Sequence, residues 1–123
     1  MKHLDPIVVL FLDRFPVARE LYSVEIEHEG DLSDCFFEDV FGPLIDQYVR
    51  GDELPLDLCD LLAFVDDQIV RDETNAGRLF DVGVLETIAI APWHYRKVYK
   101  LLPDRLRSRV RRIRHAYDEF VRR

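Results

Sequence analysis

With 123 residues, 48% of them hydrophobic and 33% charged, and a net charge of −7, the chain has the composition of one globular domain rather than a disordered segment. A domain of this length buries about two-thirds of the surface its unfolded chain exposes, so it needs neither disulfides nor a structural metal to fold. The apolar run Ile7 to Leu12 is too short for a signal-peptide core or a membrane span, which points to a cytoplasmic protein without a membrane partner.

Asp5-Pro6 reads as an N-cap with proline at the first helical position, and Phe15-Pro16 ends the run, because proline disfavours helical geometry in the residue before it. A short buried helix is predicted, although so valine-rich a run also suits a strand. A second helix begins near Val17. At its end, Val24 and Ile26 alternate with Glu25, Glu27 and Glu29, a period of two that suits a strand. A lone strand has no partner elsewhere, so this stretch is assigned to the helix. From Ser33 the apolar residues Phe36, Phe37, Val40, Phe41, Leu44, Ile45 and Tyr48 follow a helical rhythm that Gly51 closes, with Gly42-Pro43 as a place to kink or split.

The clearest stripe is Leu58, Leu61, Leu62, Val65 and Ile69, opened by Pro55 and ended near Asp72. After Thr74-Asn75-Ala76-Gly77 comes a helix apolar on nearly every side, from Leu79 to Ala89, as expected of a central element surrounded by neighbours. It stops at Ala91-Pro92. Trp93 to Leu102 predicts another short helix. Pro103 opens the last, whose apolar residues Leu106, Val110, Ile113, Tyr117, Phe120 and Val121 make one stripe on an arginine-rich rod. The predicted fold is all-α: a single domain over 1–123, a compact bundle of six to seven short helices packed antiparallel or as irregular helical-repeat pairs. Cys35 and Cys59 sit among apolar residues and read as two core thiols in a reducing compartment.

Charge is divided along the chain. Met1 to Ala91 carries 21 acidic and 6 basic residues, a net of −15, and Pro92 to Arg123 carries 3 acidic and 11 basic, a net of +8. Clustered arginines are what a nucleic-acid binder needs, and Arg107, Arg111 and Arg114 are the candidates for such a surface. The competing reading, favoured here, buries the apolar stripe of that helix and sends its arginines to neighbouring acidic helices. The carboxylates elsewhere would repel a phosphate backbone. They suit a landing surface for a basic protein, since complementary charge speeds encounter and rejects wrong partners. Glu38, Asp39, Asp66, Asp67, Asp72 and Glu73 are its candidate residues, with Trp93 or Tyr95 as an aromatic anchor.

Catalytic signals are thin. His3, His28, His94 and His115 have no metal-binding spacing, and Glu27-His28-Glu29 places neighbours on different faces. Glu38-Asp39 and Asp66-Asp67 are adjacent rather than facing pairs. Ser23, Ser33 and Ser108 stand in no nucleophile motif, and no glycine pattern makes a phosphate loop. No catalytic residue, metal or cofactor is therefore expected, and the chain reads as a binding protein rather than an enzyme.

Residues 58 to 90 contain Phe64, Val65 and Asp66 on one helix, Asn75 in a polar turn, and Leu85-Glu86 on the next, and an earlier Phe-Pro turn lies in FPVARELY at Phe15. On these residues the chain resembles a family of small helical bacterial proteins of largely unassigned role, similar to immunity proteins of polymorphic toxin systems. The resemblance implies a partner that is a cognate toxin, and it implies no catalytic residue; the acidic surface adds that this toxin is basic, as a nuclease with a positively charged active site would be.

Overall fold

The computed structural model describes residues 6–26 and 33–122. The cap at Asp5, along with His3, His28, Glu27, Glu29 and Asp31, lies outside them, as do the side chains of Glu25, Asp34 and Cys35. The described residues form an all-α bundle of seven helices: α1 (Pro6–Arg14), α2 (Val17–Ile26), α3 (Ser33–Arg50), α4 (Leu58–Arg71), α5 (Asn75–Phe80, a π-helical stretch Asp81–Leu85, and Glu86–Ile90), α6 (Pro92–Val98 with a 3-10 turn Tyr99–Leu101) and α7 (Asp104–Val121).

The breaks fall where backbone chemistry requires them. Phe15 ends α1 and its N–H still reaches the Phe11 carbonyl at 2.8 Å before Pro16 turns the chain into α2. The α2 backbone stays helical to Ile26, so the alternating stretch is helix as far as it is described. α3 passes through Gly42-Pro43 without splitting, with Pro43 on its exposed side. Gly51, at φ 80°, terminates it: the N–H groups of Gly51 and Asp52 donate to the Tyr48 and Gln47 carbonyls, a Schellman closure that needs a left-handed residue. Asp57 caps α4 by accepting from the Asp60 N–H, and the Asp72 carboxylate accepts from the Asn75 N–H at the start of α5.

α5 is the central element and packs against α3, α4, α6 and α7. Its Phe80, Val84, Leu85, Ile88 and Ala89 are fully buried, whereas Val82 is exposed. Beneath it lies an aromatic cluster centred on Phe11, whose ring packs against Phe36, Phe37, Phe41 and Phe64, with Phe80 closing on Phe37 and Phe64. Each buried aromatic contributes large apolar area plus edge-to-face attraction, and this cluster joins α1, α3, α4 and α5.

Two expectations need correction. Cys59 is exposed, because the stripe Leu58, Leu61, Leu62 and Val65 turns position 59 away from the core. Partial desolvation, and then the charges of Asp57 and Asp60, push its thiol above its ordinary pKa. In α7 only Leu106 and Val110 are buried and Ile113 half-buried, while Tyr117, Phe120 and Val121 are exposed.

Candidate functional site: an acidic face beside an exposed tryptophan

Most cations of the basic C-terminal part are occupied within the fold, and their partners follow a rule. The last carbonyls of a helix have no intrahelical donor, and cations are stabilising at that negative end. Arg114 Nη1 donates to the Ala89 carbonyl at 2.7 Å in the last turn of α5, and its guanidinium stacks 4.5 Å from the Tyr95 ring centre. Arg107 donates through Nε to the Tyr99 carbonyl and through Nη2 to that of Lys100, at the end of α6. Lys97 Nζ donates to Val49 in the last turn of α3.

Two further arginines clasp carboxylates. Arg109 holds Asp81 through two bonds of 2.9 and 2.8 Å, with Glu73 at 3.6 Å, and its own side chain is only 12% exposed. The Asp81 hydrogen bonds raise the Arg109 pKa above the ordinary arginine value, against desolvation, with the charges of Asp81 and Glu73 adding to the rise. Arg105 grips Asp66 at 3.2 and 3.1 Å, and this hydrogen-bonded contact likewise raises its pKa. Arg111 donates to the Tyr99 hydroxyl.

These contacts decide which sequence candidates are accessible. Asp66 is 16% exposed and committed to Arg105, and Asp67 pairs with Arg71 one turn along α4. Asp72 caps α5, and the exposed Glu73 flanks Arg109. Tyr95 is half-buried between the Tyr99 ring and Arg114. Glu38 and Asp39 lie exposed on α3 with no ion pair among the described residues. Trp93 is 58% exposed at the start of α6.

The structure joins part of this set through a residue that sequence reasoning did not select. Asp46 lies seven positions after Asp39, two turns along the same face of α3. Its carboxylate lies 2.9 Å from Nε2 of His94, while Nδ1 of that buried ring lies 3.0 Å from the Thr87 carbonyl. Trp93 packs edge-on against His94, with ring centres 5.8 Å apart. An acidic stripe of Glu38, Asp39 and Asp46 thus runs along α3, and the indole packs against the histidine that meets its Asp46 end. The i, i+7 spacing of Asp39 and Asp46 was readable in advance; the contact with His94, across 48 positions, was not.

Among the described residues no group of three or more His, Cys, Asp or Glu is placed to hold a metal ion, and no helix is long and apolar enough to cross a membrane. No family model, curated protein or solved structure matches the chain.

Proposed function

We propose that the protein is a non-enzymatic, cytoplasmic binding module of the immunity type, which neutralises a basic toxin, such as a nuclease, by covering its active site with the acidic face of α3. The observation that carries this reading is the exposed Trp93, whose ring packs edge-on against the same His94 that meets Asp46. Aromatic anchors set next to complementary charge are what binding hot spots are built from. The division of charge supports it too: five arginines of α7, Arg105, Arg107, Arg109, Arg111 and Arg114, are bonded within the fold, and the accessible unpaired charge on α3 is negative. Arg107, Arg111 and Arg114, the candidates for a nucleic-acid surface, have no comparable support, since each donates to an atom of the protein itself.

The test is affinity purification from the cell that makes the chain, using wild type, Trp93→Ala and the double reversal Glu38→Lys/Asp39→Lys. A basic protein whose toxicity the wild type suppresses is expected. Trp93→Ala should speed its dissociation by about thirtyfold, the effect of losing an anchor worth about 2 kcal/mol. Charge reversal should mainly slow association and flatten its salt dependence. A captured partner that binds both variants as well as wild type, or that keeps its full activity when bound, would overturn the assignment.

A further inference from the structure

A separate groove lies on another side of the bundle, between α1, α4 and the start of α5, with a volume of about 550 Å³. Its walls are apolar, from Ile7, Leu10, Ala76 and Leu79. Leu10 is 46% exposed there, a large apolar side chain left at the rim. Gln68 also lines the groove, is only 8% exposed, and makes no side-chain hydrogen bond with any described residue. Its amide atoms are reached from the groove rather than sealed in the core, so a ligand lying there replaces water at them.

The remaining polar groups define what would fit. Each Asp72 oxygen accepts one bond from Asn75, Oδ1 from its N–H and Oδ2 from its side-chain amide, and each keeps a further acceptor site. The side-chain carbonyl of Asn75 is a second acceptor, because its amide nitrogen is the atom that faces Asp72, giving it one hydrogen bond. Adding the Gln68 carbonyl, the groove presents three acceptor groups against two donors, the Gln68 amide and the remaining Asn75 amide hydrogen, carries a carboxylate, and among the described residues is lined by no lysine or arginine. An ammonium has three donors and no acceptor, which complements that set. The hydrocarbon walls complement an aliphatic chain.

We propose that this groove is a binding site for a small amphiphilic primary amine, its ammonium held by Asp72 and Gln68 and its aliphatic chain laid along Leu79, Ile7 and Leu10. A free small molecule fits better than a lysine side chain of a partner, because the volume lies in the range of small-molecule pockets and a single lysine would leave much of it empty. The proposal is independent of the α3 face.

The test is a side-chain NMR titration of the full chain with n-hexylammonium, 1-hexanol and hexanoate. Hexylammonium should move the Gln68 amide and Leu79 methyl signals saturably, 1-hexanol should bind about tenfold more weakly, and hexanoate should not bind. Asp72→Asn should abolish the preference for the ammonium over the alcohol. Gln68→Leu, which places hydrocarbon in a buried position and retains the fold, should weaken the ammonium while leaving the alcohol as tight or tighter. Hexanoate binding as well as hexylammonium, no saturable shift with any probe, an unchanged preference in Asp72→Asn, or tighter binding of a blocked lysine would overturn the proposal.

Discussion

Gly77 is fixed by its neighbour rather than by its own backbone. A Cβ built there would lie 2.5 Å from Nη2 of Arg109 and 3.2 Å from its Cζ, so the guanidinium rests directly on the helix surface. Arginine is flexible, but this one is pinned by two bonds to Asp81 and cannot retreat without losing them. Gly77→Ala should therefore destabilise the protein by about 2 kcal/mol, the scale of losing a charge-assisted hydrogen bond in a largely buried site. In an Arg109→Ala background the same change should be neutral or stabilising by up to about 1 kcal/mol, since alanine is the better helix former and the obstruction is gone. Urea unfolding of the four proteins in this double-mutant cycle measures the coupling directly; additive costs would show that the contact does not constrain position 77.

At the scale of elements, the bonding pattern of α7 separates arginines that a sequence cannot tell apart. Arg112 and Arg114 are two positions from each other on one helix, yet Arg114 donates to the orphan carbonyl of Ala89 and covers the Tyr95 ring, whereas Arg112 is exposed and its side chain has no hydrogen bond or ion pair among the described residues. Arg114→Ala should cost about 1–3 kcal/mol by leaving the end of α5 uncapped, and Arg112→Ala should stay within about 0.5 kcal/mol, as thermal or urea denaturation will distinguish. The helices themselves were legible because their signals are local: the Phe36 to Tyr48 rhythm with Gly51 as its stop, the Leu58 to Ile69 stripe, and the prolines at 16, 92 and 103. The extent of burial was less legible. The apolar rhythm of α7 continues to Val121, but no described element covers Tyr117, Phe120 and Val121, and Phe120 remains 73% exposed. Periodicity identifies the face of a helix; it does not report where the neighbouring helices end.

For the whole molecule, the divided charge of the chain is largely reconciled in three dimensions, with α7 clasping Asp66 on α4 and Asp81 on α5 and capping the ends of α5 and α6. The sequence supported the interior role of these arginines through composition alone. It could not reveal which carboxylates they would occupy, and for that reason only Glu38, Asp39 and Trp93 of the proposed binding set fall on one candidate face, completed by Asp46. The same reconciliation bears on nucleic acid. Affinity for a phosphate backbone comes mainly from releasing counterions as free cations neutralise phosphates, about one for each contact. Arg107, Arg111 and Arg114 would have to surrender bonds to Tyr99, Lys100 and Ala89 to make such contacts, while a net charge of −7 opposes the approach. Beyond about 8 Å at physiological salt, screening would leave only the local patch to attract. Arg107, Arg111 and Arg114 are committed within the fold, which among the described arginines between them leaves only Arg112, too little to hold a phosphate backbone. Fluorescence anisotropy with a labelled duplex and a labelled single strand at low ionic strength should therefore give no saturable binding, and the triple substitution of these arginines by alanine should lower stability without altering that result. Binding at low salt that weakens steeply as salt is added, and disappears in the triple variant, would instead assign α7 a second role on the surface.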